Sequence, residues 1–276
     1  MSALPPYFTP PSTPPSTPPS SAGTTVALGL SHRGFSPDGL ENTMAAFQAA
    51  VDLGFGYLET DVRTTSDGVL MAFHDETLDR VTDATGPISA RSLRELSSVR
   101  VGGAEPIPTL EEVLLRWPDV RLNVDIKDTA GAAALAALIE KHRAHDRVLV
   151  TSFSDRRRLD CLRRLSRPAA TSAGSAGTAA LLLLSPLRLG GLVARLGRFR
   201  CVQVPVSFRG IPVVRPAFLR RCRRAGIQVH VWTVNTRPLM EGLLDLGVDG
   251  LVSDRADILA DVLAARSAWP QGPGSA

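Results

Sequence analysis

A (β/α)8 barrel of the α/β class, with a small insertion near residues 75–118, is the fold this sequence predicts. Three observations carry the prediction. Apolar strand-like runs alternate with helix-patterned segments along nearly the whole chain. The length, 276 residues, is one that such a barrel commonly takes. Chemically active side chains stand at the ends of several of the strands, which a parallel barrel would gather on one face. A doubly wound open sheet is the competing architecture.

The elements follow in order. Residues 1–24 are dominated by Pro, Ser and Thr and contain Pro-Pro-Ser-Thr-Pro-Pro. Such a segment buries too little apolar surface to offset its ordering entropy, so a disordered tail is expected there. A similar tail is expected at 267–276, leaving one barrel domain at 25–266. Val26 to Leu30 is aliphatic and β-branched without polar alternation, the mark of a buried strand at 26–31. In helix 42–53, Met44, Phe47, Ala50 and Val51 keep helical spacing, and Glu41, Asn42 and Thr43 crowd its N-terminus. Strands 56–62 and 69–73 flank Thr65-Ser66-Asp67-Gly68, and Asp-Gly between apolar runs is a hairpin signal. Residues 75–118 are less regular. They hold short helices near 91–97 and 109–116 and proline turns at Thr85-Gly86-Pro87 and Pro106-Ile107-Pro108, and read as an insertion over the mouth of the barrel.

The alternation then resumes. Strands 121–127 and 147–152 precede helices 130–143 and 155–166. A weak strand at 169–172 precedes a helical region, 176–197, broken at Ser185-Pro186. Strands 201–206, 227–234 and 249–253 precede helices 215–225, 237–246 and 255–265. That makes nine candidate strands where a closed barrel needs eight, so one of 69–73 and 169–172 is irregular or lies outside it.

At 44% hydrophobic and 21% charged, the chain has the balance of an ordinary globular protein. Its net charge of +4 comes from arginine, since Lys127 and Lys141 are the only lysines. The arginines cluster in 156–167, 188–200 and 215–224 on helical patterns. Only Phe199 and Phe218 are interleaved with them, which favours solvated helix faces over a nucleic-acid partner. Cys161, Cys201 and Cys222 form no close-spaced metal or redox motif. Their odd number, with no secretory leader pattern, predicts reduced thiols and a cytoplasmic location. Aliphatic runs such as Ala179 to Leu184 are too short to span a bilayer, so no stable membrane insertion is expected. Nothing in the sequence fixes an oligomeric state.

The chemistry is written at the strand ends. After the first strand come His32, Arg33 and Gly34: a proton carrier, a planar anion fork and a residue that permits a sharp turn. Side chains at i and i+2 of a strand point the same way. Glu59 and Asp61 form such a pair, Asn123, Asp125 and Lys127 a second set, His74 ends another strand, and Thr233 and Asn235 follow Trp232. Unpaired buried charges are unfavourable, so these groups must pair, solvate or bind something. Each pair alone could be a salt bridge closing the barrel mouth. Taken together they make a hard-cation site, for Mg2+ or Ca2+, next to an anion site.

These residues resemble the glycerophosphodiester phosphodiesterases, relatives of phosphatidylinositol-specific phospholipase C, from about Val26 to Ala264. The family's His-Arg-Gly stands at His32-Arg33-Gly34 and its Pro-Glu-Asn-Thr at Leu40-Glu41-Asn42-Thr43, with leucine where proline is usual. Glu-x-Asp is Glu59-Thr60-Asp61. His-Asp is His74-Asp75, followed by Thr77-Leu78-Asp79-Arg80. Glu-Ile-Lys is Asp125-Ile126-Lys127, one methylene short. Trp-Thr-Val-Asn is Trp232 to Asn235, and the closing Gly-x-x-Ser/Thr-Asp is Gly250 to Asp254.

The resemblance implies a TIM barrel with a small insertion that hydrolyses glycerophosphodiesters, small-molecule substrates, to sn-glycerol 3-phosphate and an alcohol. It implies one divalent cation on Glu59, Asp61 and Asp125, with His32 and His74 as general base and acid. Arg33 and Lys127 would hold the phosphate, Trp232 would wall the pocket, and Glu41, Asn42 and Asn235 would support the site. The attacker would be the substrate's own glycerol hydroxyl, giving a cyclic phosphate that water then opens. His32 would be base and His74 acid in the first step, exchanging roles in the second. Activity is expected to survive the shorter Asp125, since the strand or ion need move only about one carbon–carbon bond length.

Two other functions compete. A lysophospholipase D or phospholipase C-like enzyme on membrane lipids would want an apolar rim, for which the insertion offers Leu93, Leu96, Val99 and Val101. A non-catalytic phosphate-binding barrel would want a broken acid–base pair, and both histidines are present. Of the remaining polar residues, His142 and His145 are expected to face solvent at the end of an outer helix, and His230 to be a core residue. Ser152, Ser154 and Gln203 could line the site.

Overall fold

A computed structural model describes residues 4–9 and 26–272. Strand β1 (Leu28–His32) leads to helix α1 (Met44–Asp52), then to the hairpin of β2 (Tyr57–Thr64) and β3 (Leu70–Ala72). The insertion holds a 3-10 turn at Ile88–Ala90, α2 (Leu93–Leu96) and the small hairpin β4 (Arg100–Val101) and β5 (Glu105–Pro106). Helix α3 (Leu110–Arg116) returns to the barrel, followed by β6 (Arg121–Ile126), α4 (Gly131–Lys141), β7 (Val148–Thr151), α5 (Asp155–Arg163) and β8 (Ala170–Thr171). Next come α6 (Ser175–Leu184), a 3-10 turn at Ser185–Leu187 and α7 (Gly190–Gly197). Strand β9 (Cys201–Pro205) runs into the hairpin of β10 (Ser207–Phe208) and β11 (Ile211–Pro212). Helix α8 (Pro216–Ala225), β12 (Gln228–Trp232), α9 (Arg237–Leu246), β13 (Gly250–Ser253) and α10 (Ala256–Ala264) complete the fold.

Eight strands are parallel, in the order β8-β7-β6-β2-β1-β13-β12-β9. A parallel bridge between Ser172 and Cys201, with Ala173 N–H donating to the Cys201 carbonyl at 2.9 Å, joins the two ends into a barrel. Of the nine expected strands, 69–73 is the one outside: β3 pairs antiparallel to β2 across the Asp67-Gly68 turn. The weak strand at 169–172 belongs to the barrel, shortened to two residues. Four helix starts among the described residues, those of α1, α2, α3 and α5, carry a side-chain cap. Thr43 accepts from Ala46 N–H, and Ser92 with Glu95 and Thr109 with Glu112 form reciprocal capping boxes.

The larger core lies between strands and helices, and α3 contributes Leu110, Val113 and Leu114 to it. The insertion therefore ends before α3, short of the expected 118. Met71, Phe73, Leu78, Ile88, Leu96, Val99 and Val101 form a separate small core beneath it. Leu96, Val99 and Val101 are thus buried under their own subdomain, and of the four expected rim residues Leu93 alone is exposed, at 37%, which is too little for an apolar rim.

The expected tails are partly ordered. Pro6–Phe8 forms a 3-10 turn whose Tyr7 and Phe8 are buried among Leu28, Leu30, Tyr57, Leu149 and Val252, inside the barrel at the strands' N-terminal ends. Tyr57 O–H donates to the Tyr7 carbonyl at 3.0 Å, and the two rings meet edge to face at 5.4 Å. The aromatic pair buries enough area to hold the segment despite the proline-rich stretch after it. The rest of the expected N-terminal tail lies outside the described residues. At the other end, Gln271 accepts from Gly29 N–H at 2.8 Å and donates to the Ala27 carbonyl at 2.7 Å, while Trp269 meets Phe55 edge to face at 4.6 Å. These contacts satisfy backbone groups at the start of β1.

His145 also departs from expectation: it is buried, 3% exposed, with Nε2 3.1 Å from Glu140. His142 is partly covered and pairs with Glu111 at 2.6 Å. His230 is the core residue expected, fully buried beside Phe8, with Nε2 3.2 Å from Gln228 Oε1. Burial lowers its pKa from 6.5 to about 4. The folded protein therefore resists a proton that the unfolded chain accepts. The effect is absent above pH 6.5 and grows as pH falls toward 4. Urea denaturation at pH 7.5 and 4.5 is expected to show this residue removing about 2–3 kcal/mol of stability, and His230→Leu to flatten the dependence by that amount. Equal slopes in the two proteins would contradict it.

Candidate active site

Register brings the strand-end groups together. His32 lies beside Glu59 across β1 and β2, while Glu59 lies beside Asn123 and Asp61 beside Asp125 across β2 and β6. A cavity of about 520 Å3 opens at this end of the barrel. His32, Arg33, Glu59, Asp61, His74, Asn123, Asp125, Lys127 and Trp232 line it, with Ser152 and Gln203. Ser154 does not line it; its hydroxyl caps α5 instead.

The His-Arg-Gly turn has a steric cause. Arg33 and Gly34 both adopt positive φ, 57° and 82°. A Cβ on Gly34 would come within 2.6 Å of the Ala46 backbone, so only glycine fits. The turn holds Arg33 with its N–H on the Glu59 carbonyl at 3.0 Å, and Asn42 N–H closes back on the Arg33 carbonyl at 2.8 Å.

Asp61 is the electrostatic centre. Arg33 Nε lies 2.9 Å from Oδ2 and Lys127 Nζ 2.8 Å from Oδ1. The same ammonium is 2.7 Å from Asp125 Oδ2, so one cation bridges two carboxylates. Burial pushes the Asp61 pKa up, but Lys127 and Arg33 outweigh it and hold it below the usual carboxylate value. Asp125 is raised by burial, with Lys127 opposing. Glu59 is raised to about 7 by burial and by the Asp61 charge.

Each histidine is oriented by an aspartate. His32 Nδ1 is 2.5 Å from Asp254 Oδ1, with Nε2 3.8 Å from Glu59. Burial opposes protonation of His32, but Glu59 and Asp254 outweigh it and raise its pKa. Asn235 locks Asp254 in turn, donating to Oδ2 at 2.7 Å and accepting from Asp254 N–H at 3.0 Å. His74 Nδ1 is 2.6 Å from Asp75 Oδ1, and Arg80 binds the other oxygen of that carboxylate. Burial is again outweighed there: Arg80 and His74 hold Asp75 at about 2.

Glu41 bridges Arg80 and Arg33, at 2.7 and 3.0 Å. Asn42 accepts from Thr60 O–H at 2.7 Å, and its amide nitrogen lies 3.5 Å from Asp61. The orienting roles of Asp75, Asp254 and Arg80 were not assigned from sequence, although all three stand inside quoted motifs. The signal available was adjacency, an aspartate directly after a histidine or after the last strand.

Among the described residues, no three His, Cys, Asp or Glu side chains stand ready-made as a metal-ligand set. The expected trio of Glu59, Asp61 and Asp125 is instead partly neutralised by Lys127 and Arg33. A hard cation nevertheless fits the donors: Glu59 Oε2, Asp125 Oδ1 and Asn123 Oδ1 are buried oxygen acceptors without a hydrogen-bond partner.

With this geometry in view, the chain can be compared with known proteins. The model of the glycerophosphoryl diester phosphodiesterase family matches residues 32–258. The Mycobacterium tuberculosis protein named probable glycerophosphodiester phosphodiesterase 2 is 43% identical over 244 residues, 88% of this chain and 92% of that protein. The crystal structure of a glycerophosphodiester phosphodiesterase from Agrobacterium tumefaciens superposes with a TM-score of 0.72 at 26% identity, over 85% of this chain and 99% of that one. An Oleispira antarctica phosphodiesterase in complex with the product sn-glycerol 3-phosphate gives a TM-score of 0.72 at 25% identity, over 87% of this chain and 97% of that one.

Proposed function

This chain belongs to the glycerophosphoryl diester phosphodiesterase family and is a phosphoric diester hydrolase; from that premise we propose that it cleaves glycerophosphodiesters to sn-glycerol 3-phosphate and an alcohol by paired-histidine catalysis with one divalent cation. The observation that carries the reading is that two imidazoles line one cavity, each with Nδ1 held by its own aspartate, around the Arg33, Lys127 and Asp61 cluster. The product-bound Oleispira protein supports the choice of substrate.

Glu59, Asp61 and Asp125 would hold the cation, with the Asn123 oxygen beside them. When bound, it supplies charge neutralisation to the phosphodiester. Arg33 and Lys127 add fixed positive charge where the phosphoryl oxygens bind. Asp254 fixes His32 through Nδ1, leaving Nε2 to take the proton of the attacking glycerol hydroxyl. Asp75 fixes His74 in the same way, so its Nε2 is free to protonate the leaving alkoxide. Water then opens the cyclic phosphate with the two roles exchanged. Trp232, edge-on to Phe153 at 5.9 Å, gives the organic part of the substrate an apolar wall. The three cysteines are unpaired and buried, which accords with a reducing, cytoplasmic setting.

Incubation with glycerophosphocholine and Mg2+ or Ca2+ is expected to release sn-glycerol 3-phosphate, read by a coupled colorimetric assay. Release of phosphocholine, or no product with either ion, would contradict the reading.

A further inference from the structure

Charge is distributed very unevenly along this chain. Between residues 161 and 240 there are fourteen arginines and not one Asp or Glu, so the remainder, in a protein of net charge +4, carries −10. That stretch forms one side of the barrel, from α6 to β12. Apolar side chains are exposed on the same side. Helix α6 contains no charged residue, yet Leu181 is its only fully buried side chain, and Leu183 is 75% exposed. A helix that is apolar all round is ordinarily covered.

The β10–β11 hairpin adds to this surface. Its turn, Arg209-Gly210, has both φ angles positive, and it presents the paired residues Phe208 and Ile211, each 62% exposed. Between hairpin and helix runs a groove of about 500 Å3, lined by Leu183, Phe208, Ile211 and Phe218 and flanked by Arg215 and Arg221. Leu182, Phe208 and Val213 line both the groove and the active-site cavity, so the two are continuous. Among the described residues, Arg209, Arg215 and Arg221 form no ion pair.

We propose that this face is a docking surface for an anionic lipid bilayer, with Leu183, Phe208 and Ile211 entering the interface and Arg209, Arg215 and Arg221 meeting the headgroups. Each feature excludes a different alternative. A second copy of the chain would bring two acid-free, arginine-rich faces together, and like charges repel. A nucleic acid would match the arginines but leave the aliphatic rim in water. A bilayer with acidic headgroups satisfies both, and interfacial binding is known to need apolar area and basic charge together. No described helix is long and apolar enough to cross a membrane, so the attachment is peripheral. The inference goes beyond the proposed reaction and does not depend on it: docking is read without substrate. What it would add is access to glycerophosphodiesters held in a lipid surface.

The test is flotation of the full chain with vesicles of phosphatidylcholine, with and without about one-third phosphatidylglycerol. The expected result is at least about tenfold stronger partition onto the anionic vesicles, falling as salt is raised. Ile211→Ser with Leu183→Ser should weaken it by about tenfold or more, and so should Arg209→Glu with Arg221→Glu. All four positions lie outside the site, and unchanged circular dichroism and melting curves would show that the variants fold. No flotation, equal flotation on neutral vesicles, or flotation indifferent to either variant pair would overturn the proposal. So would a dimer in sedimentation velocity that Ile211→Ser abolishes. Binding to duplex RNA without binding to vesicles would assign the arginines elsewhere and also overturn it.

Discussion

His32→Ala and His74→Ala are each expected to lower kcat on glycerophosphocholine by on the order of a thousandfold, with little change in KM. In the proposed mechanism the two imidazoles move protons, and neither takes part in the ion pairs that hold Arg33 and Lys127 on Asp61. Loss of a proton carrier raises the barrier to reaction while leaving ground-state binding in place. The double variant is expected to fall only slightly below the singles, because a base and an acid serving one displacement act as a unit. Steady-state kinetics on folded variants would check this. Near-wild-type turnover in either single variant would remove that histidine from the mechanism, and a large rise in KM at unchanged kcat would make it a binding group.

Removal of divalent cations by exhaustive EDTA treatment is expected to reduce turnover to background, with recovery on adding Mg2+ or Ca2+. The physical reason lies in the buried acids. Glu59 shares a desolvated pocket with Asp61, which is why its pKa rises to about 7. Its Oε2, Asn123 Oδ1 and Asp125 Oδ1 accept no hydrogen bond. A cation that binds the folded state alone must also stabilise it, by about 2.7 kcal/mol at a hundredfold excess over Kd. The melting temperature should therefore rise with Mg2+ or Ca2+, and Glu59→Gln should lose most of that response together with activity. A protein that keeps full turnover after chelation, or whose melting point ignores both ions, would refute metal dependence.

How much of this could be read beforehand depended on whether a residue's role was local. Helix and strand identities followed from periodicity, and strand-end chemistry from the i, i+2 rule, so His32, Glu59, Asp61, Asp125 and Lys127 could be placed on one face without coordinates. The antiparallel β3 and the parallel β8 are both short apolar runs, and only pairing partners tell them apart. Helix α3 looked like part of the insertion because its neighbours in sequence are irregular, whereas its apolar face belongs to the main core. Roles that depend on a contact across the fold stayed hidden: Asp254 on His32, more than two hundred residues away, Gln271 on Gly29, and Tyr7 on Tyr57. The exposed rim was sought in the wrong place for the same reason. Leu96, Val99 and Val101 of the insertion form a core of their own and leave only Leu93 exposed there, while Phe208 and Ile211, beside an unremarked Arg-Gly turn, are in the open.

The Tyr7 and Phe8 floor has a consequence for how the protein is made. The socket that receives these rings is built from β1 and β2 near one end of the chain and from β13 near the other. It does not exist until those strands have met. Tyr7 and Phe8, which precede every strand of the barrel in sequence, are therefore among the last residues to be seated, and a chain trimmed back to Val26 would keep every reacting group above an unstoppered base.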